Sequence, residues 1–387
     1  MNKIDQSTIE TLVGKQKGDV LTMYVPTHHI TTPATVQEDK TRLKNLIRTG
    51  FDEWLKKVDE QRIKQIRERL NKIIEDEAFW SDMTHSLAIF ANEDEVNIYH
   101  LPIECQEYTY VGEEYDLTPL RICLSSNQPY YVFALAVHNP KLFQGDAYGL
   151  TPVEIDFPSS PEDALNIDEM FSGSNTIRGV STPGGGNDKL SSHGQGDSNH
   201  AGQEEHLKYL RILDNMIMKS KHIDATQPII IAATDNEASA FRGVSNLPNL
   251  IQESVSGNHT STTLQELHGL TWNLVEQHII REKQRTLLEQ FNELKGMQKG
   301  SSDPAEITTA ASTGRVGTLL VGIVPITNDS ISDTNNTNTP LIRLDGKYED
   351  LSIRQHIESV VAQGGEIVGI DPDVLETPSL LGAIYRY

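Results

Sequence analysis

The chain has 387 residues, 37% of them hydrophobic, which is enough for two or three domains with cores of their own. Its formal net charge of −22 excludes general, charge-driven nucleic-acid binding unless basic residues cluster locally. Cys105 and Cys123 are the only cysteines, which excludes a disulfide framework and a four-cysteine zinc site. No segment approaches the ~18 apolar residues of a membrane span, so we expect a cytoplasmic protein without membrane contact.

The first predicted domain, residues 1–127, combines a buried strand with a basic helical segment. The apolar run at residues 20–25 predicts the strand, and Pro26 ends it. From about Glu38 to Asp76, apolar side chains recur every three or four residues, which predicts two amphipathic helices. Residues 38–72 hold eleven Lys or Arg against seven Asp or Glu, so this segment is a basic island in an acidic protein. Two strands, at residues 86–90 and 96–99, are predicted to follow it.

The second and third predicted domains span residues 128–268 and 269–387, so the predicted fold class is α/β with three domains. In the second domain the pattern predicts a hairpin at residues 130–146, a helix at 204–219 and a strand at 228–233. The third domain is predicted to begin with a helix at residues 274–294. Asp303 and Pro304 then predict the start of another helix, because Asp is a good N-cap and Pro suits the first turn. A strand, a polar loop at 328–339, a helix and a strand follow.

Several short motifs resemble one known family. The sequences G-R-V-G-T-L-L-V, G-G-E-I-V-G-I and G-A-I-Y-R-Y, which begin at Gly314, Gly364 and Gly382, resemble the C-terminal domain of the archaeo-eukaryotic release factors and Pelota. L-T-M-Y-V-P-T at residues 21–27, and F-W followed by L-A-I-F at residues 79–90, resemble the bacterial branch of that superfamily. Its characterised members include a ribosome hibernation factor. The resemblance implies a release-factor/Pelota-like architecture with α/β N-terminal, middle and C-terminal domains.

The family's chemistry belongs to a Gly-Gly-Gln loop that precedes a long helix of the middle domain and reaches the peptidyl transferase centre. Residues 173–202 correspond to it here, thirty residues with eight glycines. Asn187 follows the three glycines and a single glycine precedes Gln195, so no intact Gly-Gly-Gln occurs and no catalytic residue is predicted. A flexible glycine linker is the alternative. The residues that the resemblance implies for 23S rRNA contact are Arg178, Gly184, Gly185, Gly186, His193, Gly194, Gln195 and Gly196.

The resemblance places the loop after the first strand, together with the basic helix, at the decoding centre. The family's stop-codon motif N-I-K-S is absent, so we expect sequence-independent contacts to the 16S rRNA backbone. The alternative is that these cations only solvate the outer face of a helix. The candidate residues are Thr27, His28, His29, Thr31, Lys40, Arg42 and Lys44. Gly314 is expected to end a helix, and Arg386 is expected to have a structural role.

Together these features predict a monomeric stress-response factor that occupies the A site of inactive ribosomes, with elongation factor Tu or a related GTPase as its partner. No cofactor or metal is expected. One alternative is a rescue or release factor that hydrolyses peptidyl-tRNA through Gln195. A second is a nuclease or RNA-modifying enzyme, which would need Asp146, Asp156 and Asp235 to converge. A third is a metal site formed by histidines around Asp197, namely His193, His200 and His206.

Overall fold

A computed structural model describes most of the chain. The described residues are 4–15, 18–29, 31–81, 83–103, 105, 107–136, 138–164, 197–322, 350–370, 372–375, 377 and 379–387. They form three β-sheets with helices packed on them, which confirms the predicted α/β fold class. The chain divides into two compact units, one of Met1–Asn127 with Ile280–Tyr387 and one of Gln128–Ile279. No helix in the described residues is both long enough and apolar enough to cross a membrane.

The N-terminal part of the first unit is an antiparallel sheet covered on both faces. The predicted strands are confirmed, and the sheet order is β3-β2-β1-β4. Alternate side chains of the first strand point to opposite faces, so Leu21 packs against one helical pair and Tyr24 against the other. The elements are α1 (Gln6–Gly14), β1 (Val20–Pro26), α2 (Pro33–Trp54), α3 (Glu60–Glu75), β2 (Ser86–Ala91), β3 (Val96–Leu101), β4 (Tyr108–Gly112) and α4 (Thr118–Ser126).

Helix α2 begins earlier than the predicted start near Glu38. The Thr32 side chain accepts a hydrogen bond from the Thr35 N–H in a capping box, and Pro33 occupies the first turn, so the start signal lies in the polar loop. The helix also lies very close to the sheet. A Cβ atom at Gly50 would be 2.7 Å from Thr109 Oγ1, so a larger residue would force that side chain to move.

The second unit is built on a mixed sheet of order β7-β6-β5-β8-β9, in which β5, β8 and β9 are parallel. The predicted hairpin and the predicted strand near residue 230 are confirmed. The predicted helix at 204–219 is longer and begins at Asp197. The elements are β5 (Tyr130–Ala134), β6 (Lys141–Asp146), β7 (Gly149–Val153), α5 (Asp197–Lys219), β8 (Ile229–Ala233), α6 (Asp235–Val244), β9 (Leu250–Ser256) and α7 (Leu264–Leu274).

The C-terminal part of the first unit is a smaller mixed sheet of order β10-β13-β11-β12. The predicted helix at 274–294 is instead α8 (Arg281–Gly296), and the residues before it, Val275–Ile280, form a π-helical turn. The predicted helix start at Asp303 is confirmed, because its side chain accepts from the N–H groups of Ala305 and Glu306. The remaining elements are β10 (Gly300–Ser301), α9 (Pro304–Ser312), β11 (Val316–Gly322), α10 (Asp350–Ala362), β12 (Glu366–Ile370), α11 (Pro372–Leu375) and β13 (Leu381–Tyr385).

The expected roles of Gly314 and Arg386 are confirmed as structural. Gly314 has a φ of 70°, a left-handed conformation that favours glycine, and it ends α9. Gly364 has the same φ and follows α10. The Arg386 guanidinium donates hydrogen bonds to the carbonyl oxygens of both glycines, which places a positive charge at two helix C-termini.

The N- and C-terminal parts of the first unit contact each other through α4 and α10. The Arg121 guanidinium binds the Glu358 carboxylate with two hydrogen bonds of 3.2 and 3.0 Å. The Arg354 guanidinium lies 4.6 Å from the centroid of the Tyr110 ring. Ile122 of α4 is buried in the core of the C-terminal part. These contacts join segments that are more than two hundred residues apart in the sequence.

Candidate functional site

Two hydrogen bonds attach the start of the β1–α2 loop to the segment before β2. The Thr27 N–H donates to His85 O at 2.9 Å, and the Thr27 hydroxyl donates to Thr84 O at 2.8 Å. Thr27 is buried, so its hydroxyl anchors the loop. The next two residues lie nearer the surface. His29 packs against His85 with ring centroids 4.6 Å apart, and Thr31 is exposed.

Asp39 is the centre of the hydrogen-bond network that orders this loop. Its side chain is only 1% exposed. The carboxylate accepts the His28 N–H at 2.9 Å, His28 Nδ1 at 2.8 Å and Arg42 Nη1 at 3.2 Å. A buried carboxylate is stable only when such donors replace water. Sequence reasoning missed Asp39, although an acid three residues before an arginine on a helix is a recognisable pair.

Arg42 is held inside the same network. Its guanidinium also donates to Pro26 O at 2.8 Å and to Glu38 Oε1 at 2.8 Å, and its Nε lies 3.8 Å from Glu107 Oε2. Several acceptors therefore already surround this charge. The geometry gives Arg42 the role of fixing the end of β1 against α2.

The other cations of α2 differ in their exposure to solvent and in whether a carboxylate pairs with them. Lys40 is largely covered and pairs with Glu77, just beyond α3. Lys44 and Arg48, one helical turn apart, are exposed, and no described carboxylate pairs with either of them. Of the predicted basic residues, Lys44 is therefore the one whose charge faces solvent. Arg48, which was not among the predicted contacts, extends the same exposed stripe.

The predicted contacts at the peptidyl transferase centre lie outside the described residues. They are Arg178, Gly184, Gly185, Gly186, His193, Gly194, Gln195 and Gly196. The described chain resumes with α5, in which His206 Nε2 lies 3.0 Å from Glu237 Oε2. Burial raises the pKa of Tyr209 to about 12, so its hydroxyl stays protonated and donates to Pro158 O. This tyrosine anchors α5.

The alternatives that need a metal or an acidic cluster gain no support from the described residues. Among them, no three His, Cys, Asp or Glu side chains lie together as metal ligands would. Asp146, Asp156 and Asp235 therefore form no such cluster. His193 and the side chain of His200 lie outside the described part of the chain.

Residues 129–315 match the family model described as bacterial archaeo-eukaryotic release factor family 3. Comparison with curated proteins gives no match. Ribosome-bound archaeal Pelota with ABCE1 is similar at 12% identity over 96% of this chain and 90% of that chain, with a TM-score of 0.39.

Two further solved structures are similar. The archaeal translation termination factor aRF1 is 12% identical, with 98% of this chain and 96% of that chain covered and a TM-score of 0.23. S. cerevisiae Dom34, described as a translation termination-like factor, is 10% identical, with 78% and 79% covered and a TM-score of 0.35. The family match covers the middle of the chain, just under half of its residues, and the motifs at residues 21–27 and 314–321 lie largely outside it.

Proposed function

We propose that this chain is a ribosome-binding translation factor and, within that class, a hibernation factor. It occupies the A site of inactive ribosomes and shields the decoding and peptidyl transferase centres without hydrolysing peptidyl-tRNA. One observation carries the proposal: residues 129–315 match a release-factor family, while the full sequence contains no Gly-Gly-Gln. A factor that keeps the family's middle domain but lacks its catalytic motif is suited to occupy the site without hydrolysis.

The surface of α2 supports contact with rRNA in the decoding centre. Lys44 and Arg48 offer two exposed positive charges on one helical stripe, in a chain whose net charge is −22. Such cations bind phosphates without reading bases, and binding through them weakens as salt displaces the contacts. The ordered β1–α2 loop lies at the start of the same helix.

The remaining parts of the proposal rest on the sequence motifs. Residues 173–202 would extend to the peptidyl transferase centre, and the C-terminal domain would dock elongation factor Tu or a related GTPase. The opening motif at residues 21–27 suggests a relationship to the hibernation factor Balon of the same bacterial branch.

Cryo-electron microscopy of the protein with vacant bacterial 70S ribosomes and elongation factor Tu tests the proposal. We expect density in the A site that extends from the decoding centre to the peptidyl transferase centre. Clean ribosomes without added density would contradict it. A peptide-release assay on ribosomes that carry peptidyl-tRNA separates the alternative, because release abolished by Gln195→Ala would identify a hydrolase.

A matched pair of charge reversals tests whether α2 forms the interface. Lys44→Glu should weaken co-sedimentation with 70S ribosomes at low salt. Lys221→Glu makes the same charge change at an exposed residue of the second unit and should leave sedimentation much closer to wild type. Equal losses in the two variants would show that net charge alone governs binding.

A further inference from the structure

We infer that Asp39 is a positioning residue that presents His28 to an rRNA phosphate. This inference rests on the proposed function and names one contact within it. The imidazole would donate a hydrogen bond from Nε2 to a phosphate oxygen, while Asp39 holds the opposite edge of the ring.

The geometry around Asp39 fixes which edge of the ring faces outward. The carboxylate binds both the main-chain N–H of His28 and its ring Nδ1, at 2.9 and 2.8 Å. Because a carboxylate can only accept, Nδ1 carries a proton, and Nε2 can donate outward only when the ring carries a second proton there. Among the described residues no protein group binds Nε2, and the His28 side chain is 29% exposed whereas that of Asp39 is 1% exposed. The pair therefore resembles a carboxylate that orients a histidine toward a ligand.

The charges around the ring are compatible with an imidazolium. Asp39 contacts it directly from α2, and the Arg42 guanidinium shares that carboxylate. Glu38 and Glu107 face Arg42 and offset its charge. His29, in the same loop, packs on His85, which precedes β2. A protonated His28 would add one charge-assisted hydrogen bond to a phosphate, which corresponds to about a 10-fold gain in affinity.

Two substitutions at His28 distinguish a role in binding a phosphate from a role in stabilising the loop. In His28→Asn the amide nitrogen takes the place of Nδ1 and keeps the bond to Asp39, but the outward donor is lost. In His28→Gln the amide nitrogen extends to the position of Nε2, and the bond to Asp39 is weakened. The dissociation constant for vacant 70S ribosomes at low salt, and the melting temperature, are measured for both variants and the wild type.

We expect His28→Asn to bind about 10-fold more weakly with a nearly unchanged melting temperature. His28→Gln should melt earlier yet bind within about 3-fold of the wild type. The reverse order of affinities would show a structural role and overturn the inference.

The outcomes also distinguish this inference from the proposed function. A wild-type protein that does not bind ribosomes contradicts the proposed function. A wild-type protein that binds, with both His28 variants binding equally well, contradicts only the inference. Nitrogen NMR of the ribosome-bound protein is an independent test, because a His28 ring that lacks a proton on either nitrogen would overturn the inference whatever the variants do.

Discussion

The cations of α2 and those at the α4–α10 contact use positive charge in different ways. On α2, Lys44 and Arg48 face solvent and pair with no described carboxylate. At the contact, Arg121 is only 8% exposed and binds Glu358 through two hydrogen bonds. The first kind is available to a phosphate and contributes little to folding. The second kind holds distant segments together. The comparison teaches that the role of a cation depends on the groups that face it in the fold. The number of basic residues near it in the sequence does not decide that role.

The largest effect is expected at the α4–α10 contact. Arg121→Ala removes the partner of Glu358 and should lower the free energy of unfolding by about 2–3 kcal/mol, below the value for a fully buried pair because Glu358 is about a third exposed. Denaturant unfolding measures it. Arg285→Ala breaks an exposed pair on one helix and should cost under about 0.5 kcal/mol. Equal losses for the two arginines would show that burial of the ion pair does not determine its contribution to stability.

Asp39 tests within α2 itself whether burial decides what a charge contributes to stability, because this buried carboxylate lies beside exposed charged residues. Asp39→Ala leaves the His28 N–H and Arg42 without their shared acceptor, and we expect a loss of about 2 kcal/mol in unfolding free energy. Glu38→Ala removes the neighbouring carboxylate, which is largely exposed, and should cost under about 0.5 kcal/mol. If Asp39→Ala were as stable as the wild type, the loop would not depend on the network.

A smaller loss of unfolding free energy is expected on substitution of Gly314, because it depends on the backbone conformation of this residue and not on a charge. Gly314→Ala forces a residue with a side chain into a left-handed conformation at φ 70°. It should lower the free energy of unfolding by about 1 kcal/mol. Gly269→Ala is the matched control, since this glycine lies within α7 with open space around it. The free energy of unfolding of that variant should rise by roughly 0.5–1 kcal/mol, because alanine has a higher helix propensity than glycine. Thermal unfolding should therefore show a lower melting temperature for Gly314→Ala and a higher one for Gly269→Ala.

The smallest effect on stability is expected for the exposed stripe. Lys44→Ala and Arg48→Ala should each change unfolding free energy by under about 0.5 kcal/mol. Each should instead reduce the slope of log affinity for ribosomes against log salt by about one, because one phosphate contact is lost. Lys221→Ala should leave both quantities unchanged. A large loss of stability in Lys44→Ala would move this residue into the structural group.

Sequence reasoning located the elements whose signals are local. The apolar run of β1, the periodicity of α2 and α3, and the Asp303 cap all lie within a few residues, and the structure confirms them. It did not predict α4, because this helix has only nine residues and owes its place to packing far along the chain.

The candidate site was predicted less fully than the fold. The loop and the basic helix were located from their pattern, but a pattern does not distinguish an exposed lysine from an arginine enclosed by carboxylates. Arg42 and Lys44 are two residues apart and both positively charged, yet the geometry gives them different surroundings. Asp39 was missed because its importance depends on a hydrogen bond from the loop, which only the folded backbone brings close.

The contact between α4 and α10 also has a consequence for how the protein is made. Ile122 precedes the whole second unit in the sequence, and its apolar partners, such as Ile357, follow that unit. During synthesis, N-terminal domains fold first, so the α4 surface must wait until more than two hundred further residues have been translated. In this interval the nascent chain exposes an apolar helix face beside an unpaired arginine. We expect chaperones and proteases to act on this face while the chain is still being synthesised.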